Sequence, residues 1–314
     1  MIHRFIPATP AQWSWITLAG PDAQDFVHRL TTIDAKHLDV GQGAPGFFLT
    51  AQGKVRAYFR LWRYQDQGFA FEFDAGEFGH WKKELLAAID QFTFTENMKL
   101  VEVSELSCIW LFTDSTEDWK NTGLPAVQKG KTIATEDEIR ICFQGTADFG
   151  KEWITVWGRH AQLETWLKKY LSHAQSVDWL TLETWRVLHL RPSVGHEIDA
   201  STIPLEVGLK DAIAENKGCY PGQEVIERIV ALGAPARRLA RLDGVGEAPQ
   251  IGESVLNRAV PPLEVGIVTS VVSCDGRFSA LALIRKVHAK EGMPVGFSVH
   301  TQSEGNVVHI APYA

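Results

Sequence analysis

Near its start the chain carries the apolar run Ser14-Trp15-Ile16-Thr17-Leu18-Ala19, which reads as a strand stopped by Gly20-Pro21. Asp22 then stands where a helix cap belongs, and Ala23, Phe26, Val27 and Leu30 recur behind it at helical spacing. Gly46-Phe47-Phe48-Leu49-Thr50 and residues 55–62 flank Ala51-Gln52-Gly53-Lys54, a pattern that predicts a hairpin. Residues 68–73 alternate into Asp74 as a further strand, and residues 76–90 place Phe78, Trp81, Leu85, Leu86 and Ile89 on one helical face. Strand-like stretches follow at 99–112 and 131–144, around a polar loop at 113–121. Helices are predicted near 160–172 and 178–190, and in the second Trp179, Leu182, Trp185 and Leu188 read as core.

From residue 236 the pattern changes. Short runs such as Val265-Gly266-Ile267-Val268-Thr269-Ser270-Val271 and Phe278-Ser279-Ala280-Leu281-Ala282-Leu283-Ile284 alternate with Gly, Pro and Asp turns. That predicts a small β-barrel over 236–314, after an α+β region over 1–235. A length of 314 residues suits this division into about two domains.

Composition narrows the function classes. A net charge of −7 argues against a general nucleic-acid grip, which needs clustered positive surface. Eleven tryptophans are expected mostly in packing. No apolar span reaches 18 residues, and the start resembles neither a signal peptide nor a transit peptide, so a cytoplasmic protein without membrane partners is expected. The cysteines at 108, 142, 219 and 274 form no C-x-x-C pair, and neither a disulfide framework nor a stably bound metal is expected. Cys108 and Cys142 have apolar, strand-like neighbours and read as core.

Cys219 is different. It sits in Lys217-Gly218-Cys219-Tyr220-Pro221-Gly222-Gln223-Glu224, beside a lysine and between glycines that clear space around the sulfur. A neighbouring cation favours the reactive thiolate; the same octet could also be a tight turn with an inert cysteine. The segment 223–230 fits either a helix or a strand, and a helix starting at Pro221 would put Cys219 near its positive end. Glu206, after Pro204, could accept hydrogen bonds from a planar heterocycle or be a solvated turn residue. Arg237 and Arg238 could contact an anion or coat a loop. His189 and His196 form no ligand pair with the octet, and no Ser/His/Asp set or phosphate-cradling motif stands out.

The octet resembles the K-G-C-Y-x-G-Q-E signature of the YgfZ family, folate-binding relatives of the glycine-cleavage T-protein, and Arg228 follows Glu224 as that pattern prefers. Gly20-Pro21-Asp22-Ala23 with Phe26, then Leu30-Thr31-Thr32-Ile33-Asp34, Leu38 and Gly41, resembles the family's opening. Pro204-Leu205-Glu206-Val207-Gly208-Leu209 resembles its P-x-E-x-G-L element, so landmarks run from about residue 18 to about 240.

The resemblance implies the T-protein fold: two interleaved α+β subdomains and a C-terminal barrel around a central folate cavity. It implies tetrahydrofolate as ligand, with Glu206, Arg186, Lys217, Tyr220, Gln223, Glu224 and Arg228 as candidate binding residues. It also implies partnership with iron–sulfur assembly machinery or client enzymes, with Cys219 as the functional thiol. Arg186 lies in a stretch with Leu190 where the family has glycine and Leu188 where T-proteins often carry glutamate. The alternative is a folate-dependent aminomethyltransferase or demethylase. Those relatives place an aspartate where this chain has Ala57 or Tyr58, so the proton-handling group is missing and that activity is not expected.

Overall fold

The computed structural model describes residues 1–7, 13–74, 80–113, 115, 117–120, 122, 124, 132–134, 139–143, 153–298 and 303–312. The chain runs β1 (His3–Phe5), β2 (Trp13–Ala19), α1 (Ala23–Leu30), β3 (Gly43–Leu49), β4 (Val55–Gln65), β5 (Gly68–Asp74) and α2 (His80–Gln91). It continues through β6 (Lys99–Glu102), β7 (Leu106–Phe112), α3 (Glu117–Lys120), β8 (Thr132–Ala134), β9 (Arg140–Phe143), β10 (Trp153–Arg159), α4 (His160–Tyr170), β11 (Gln175–Ser176), α5 (Trp179–Leu188) and α6 (Gln223–Ala231). The last strands are β12 (Arg237–Val245), β13 (Ser254–Asn257), β14 (Glu264–Cys274), β15 (Arg277–Arg285), β16 (Pro294–Phe297) and β17 (Glu304–Ile310).

Two compact units divide the chain, and each is assembled from separated segments. The first holds residues 1–49, 56–179 and 211–221. Its five-stranded sheet has the order β3-β4-β5-β2-β6, and its six-stranded sheet the order β11-β1-β7-β10-β9-β8. Phe26, Val27 and Leu30 of α1, with Leu85, Ala88 and Ile89 of α2, cover the first sheet through Phe48, Phe59 and Phe71. Leu163, Trp166 and Leu167 of α4 cover the second through Ile109, Leu111 and Val156. Trp13, Trp15 and Trp62 meet Cys108 and Trp157 in one buried cluster that joins the two sheets, with the Trp15 and Trp157 rings 4.2 Å apart. These flat, apolar side chains fill a large volume with little rotamer loss, which accounts for part of the high tryptophan content.

The second unit holds residues 50–55, 180–210 and 222–314. Its six strands close into a barrel in the order β12-β15-β14-β13-β16-β17. Closure removes both sheet edges. Alternate residues such as Leu242, Val268, Ala280, Ala282, Ile284 and Phe297 fill the interior.

Several expectations are corrected. The stretch 99–112 is two strands: β6 pairs with β2, and β7 pairs with β1 and β10 in the other sheet. Trp179 and Leu188 are partly exposed, and only Leu182 and Trp185 of that set are buried, because the ten-residue helix α5 covers its neighbours with one face. Asp22 occupies the N-cap position, but its carboxylate accepts from the Asn97 N–H at 2.6 Å and not from the helix. Arg237 and Arg238 lie in β12, not in a loop. Residues 223–230 are helical, and the helix begins at Gln223 after Gly222. Phe78 and parts of 113–121 and 131–144 lie outside the described residues, as does the Cys142 side chain.

Candidate functional site

Helix α1 is short, and the carbonyls of its last turn have no partner within the helix. Lys217 supplies one: its buried ammonium donates to the His28 carbonyl oxygen, where the negative end of the helix dipole favours a cation. The same ammonium stands 4.9 Å over the Tyr220 ring, which is itself buried. Thr32 fastens the incoming segment. Its hydroxyl donates to the Ala212 carbonyl at 2.6 Å and accepts from the Phe47 N–H, while its carbonyl accepts from the Ala214 N–H at 2.8 Å. Residues 212–217 are therefore tied to the last turn of α1 and to Thr32 just after it.

Cys219 lies just past this tied segment and is exposed as a free thiol. Gly218 before it has φ +96°, in the region where a side chain is strained. Lys217 and Tyr220 are buried on either side of exposed Gly218 and Cys219, in a loop that ends where α6 begins at Gln223. The inert-filler reading predicts a buried cysteine. Cys108 is the contrast: fully buried, with burial and then the charges of Glu72 and Asp74 pushing its thiol well up.

The electrostatics around Lys217 are uneven. Burial depresses its pKa to about 8, against the pull of Asp34 and Cys219. Asp34 is engaged with histidines: its Oδ2 lies 2.7 Å from His37 Nδ1 and its Oδ1 3.3 Å from His28 Nδ1. Burial alone would lift that carboxyl, but the His37 hydrogen bond and the two rings hold it below its usual range. Burial, then the Lys217 and Lys36 charges, lower the His28 pKa. Sequence reasoning passed over His28 and Asp34 as site residues, although Asp34 closes the Leu30-Thr31-Thr32-Ile33-Asp34 element.

The remaining candidates lie in the second unit. Glu206 sits in a 3₁₀ turn capped by Gly208 at φ +75°. Its oxygens accept from Arg237 Nε at 2.9 Å and Nη2 at 2.8 Å, and Oε2 also accepts from the Ile203 N–H. Arg186 is buried. Its Nε and one Nη2 hydrogen go to Glu183, and the second Nη2 hydrogen goes to Ser270. Its Nη1 donates to Glu197 and to the Arg191 carbonyl. All five guanidinium donors are engaged within the protein. Burial opposes that charge, but Glu197 and Glu183 outweigh it and keep the guanidinium protonated.

Gln223 donates to Glu227 along α6, and Glu224 and Arg228 are exposed on the same helix. Gly222 is fixed by packing: a Cβ there would lie 2.5 Å from the Thr50 carbonyl oxygen. Among the described residues, no group of three or more His, Cys, Asp or Glu side chains could hold a metal ion. None of the described helices is long and apolar enough to cross a membrane.

No family model matches the chain. It is 28% identical over 254 residues to the tRNA-modifying protein YgfZ of Vibrio vulnificus, covering 77% of this chain and 71% of that one. It is 23% identical over 282 residues to the protein of the same name from Aliivibrio fischeri, covering 87% and 82%. In structure it is similar to the glycine cleavage system aminomethyltransferase T of Bartonella henselae, with a TM-score of 0.80 over 100% of this chain and 86% of that one. Sequence identity there is 17%, so this likeness speaks to the fold. The chain is thus similar in sequence to proteins named YgfZ and has the fold of a glycine-cleavage T-protein.

Proposed function

We propose that the chain is a reduced-folate-binding protein that supports assembly or repair of iron–sulfur clusters in client enzymes, with Cys219 as its working thiol. The observation that carries this reading is the exposed cysteine on a loop whose flanking Lys217 and Tyr220 are buried anchors. A thiolate suits soft iron, and one thiol cannot hold a cluster alone, so transfer or repair follows better than storage. The relatives are named tRNA-modifying proteins. With a net charge of −7, support of a tRNA-modifying client fits this chain better than a direct grip on tRNA.

Folate rests on the likeness of fold, and the side chains narrow where it could be held. Arg186 does not fit, since none of its donors is unused. Glu206 would have to part from Arg237 to offer a bidentate face to a pterin. Calorimetric titration of the purified protein with tetrahydrofolate, repeated in Cys219→Ala, tests this half. Binding in both is expected, and no heat at millimolar ligand would overturn it.

The alternative, aminomethyl transfer, is disfavoured by the strands where its carboxylate belongs. Ala57 is buried in the core and the Tyr58 ring packs on Phe47. The buried acid in the adjoining strand, Glu72, accepts from the indoles of Trp62 at 2.7 Å and Trp13 at 3.4 Å. Formation of methylenetetrahydrofolate from an aminomethyl-loaded carrier protein should be undetectable beside a genuine T-protein, and a comparable rate would revive that reading.

A further inference from the structure

Strand β4 presents two kinds of side chain. Ala57, Phe59 and Leu61 enter the core with α1 and α2, so Tyr58, Arg60 and Trp62 issue from the opposite face of the same sheet. Arg60 stands directly across from Glu72 in the β4–β5 register, where opposite charges ordinarily pair. Here the carboxylate goes elsewhere: Glu72 accepts from the indoles of Trp62 at 2.7 Å and Trp13 at 3.4 Å. The Arg60 guanidinium is half-buried, 5.6 Å from the centre of the Trp62 ring. Its Nε is shielded from solvent and has no hydrogen-bond partner among the described residues. No carboxylate among them stands within ion-pair distance of it.

The other arginines of the strand are committed. Arg56 donates to Gln91 at 2.6 Å, and Arg63 to the Leu38 carbonyl at 2.8 Å and to Asp66 at 3.0 Å. A guanidinium that leaves water along one edge and gains no acceptor forfeits the hydrogen bonds it had there. The indole face recovers part of that loss and sets the plane of the group. What is left is a flat cationic fork whose geometry matches a carboxylate.

We propose that Arg60 holds a glutamyl carboxylate of the bound reduced folate. This rests on the reading of the chain as a reduced-folate-binding protein, and adds which end of the ligand the β4 face receives. At neutral pH the reduced pterin and the benzoyl amide are uncharged, and the glutamyl carboxylates carry the ligand's negative charge. A cation therefore selects that end. Arg186 has no donor to spare for it, and Arg237 is held by Glu206.

The test is calorimetric titration of the purified protein with tetrahydrofolate and with its neutral glutamyl dimethyl ester, in the wild type and in Arg60→Met. Methionine keeps an unbranched side chain beside the Trp62 ring and removes the charge. The wild type should bind the acid more tightly than the ester. Arg60→Met should weaken the acid roughly ten- to a hundredfold, the worth of a hydrogen bond between charged groups, and leave the ester unchanged. A preference for the acid that survives the substitution, or a loss shared equally by both ligands, would overturn the proposal. If Arg60→Met does not fold, Arg60→Gln is read by the same comparison. A wild type that binds neither ligand at millimolar concentration removes the folate reading and this proposal with it. A wild type that binds both, with a preference indifferent to Arg60, removes the proposal alone.

Discussion

Arg186 and Lys217 are both buried cations, yet their surroundings follow opposite rules. Arg186 meets Glu197 at 2.7 Å and Glu183 at 2.6 Å, with Ser270 bridging its Nη2 to Glu197. Lys217 meets a carbonyl and a ring. The first arrangement cancels its charge and engages every donor, which is how a protein makes a buried ion tolerable. The second sets a buried ammonium two residues from an exposed thiol, with Asp34 as its leading opposing charge. Sequence alone presents both residues as candidate ligand contacts. Only their partners show how differently the two charges are satisfied.

If Arg186 is a clasp, removing Glu197 should be the most damaging change. Glu197→Ala leaves a guanidinium buried with one carboxylate fewer and should lower unfolding free energy by about 3–5 kcal/mol, measured by urea denaturation. A loss under about 1 kcal/mol would mean the clasp is not what holds that region together. Glu206→Ala should cost less, roughly 1–3 kcal/mol, because Arg237 is about one-third exposed and can turn to water. The two motif glycines sharpen the contrast at smaller scale. Gly222→Ala drives a Cβ against the Thr50 carbonyl and should cost roughly 1–3 kcal/mol. Gly218→Ala meets open space and should cost only its backbone strain, about 1 kcal/mol.

The smallest effect is a pH dependence, and its sign is fixed. The pKa of Lys217 is depressed from 10.5 to about 8, so between those values the unfolded chain holds more protons than the folded one. Stability from this site therefore rises with pH across about 8 to 10.5, and at pH 7 the full cost of burying the ammonium is present. Urea midpoints of the wild type should gain on those of Lys217→Met over that window. A difference that is flat with pH would show that the ammonium is not desolvated.

Much of the fold was legible because local pattern and long-range pairing agree. The hairpin at 51–54, helix α1 and the alternating barrel strands each announce themselves within ten residues. The split of 99–112 did not, since its two halves are equally strand-like and differ only in which sheet they join. The octet could be read as a thiol motif, but not which members face inward: Lys217 finds its acceptor 189 residues away. The Glu206–Arg237 pair is 31 residues apart and the Arg186–Ser270 contact 84, distances at which spacing carries no signal. Which candidate residues already hold an internal acid–base partner emerged only once their hydrogen bonds were counted.

The central claim is that Cys219 is presented for work and not for packing. Its most direct test is rescue of iron–sulfur enzyme activity in a strain lacking the protein, using wild type and Cys219→Ala expressed at equal levels. The claim predicts that Cys219→Ala unfolds at the same temperature as the wild type, because the side chain is exposed, and restores no activity. Full rescue by the alanine variant would contradict it.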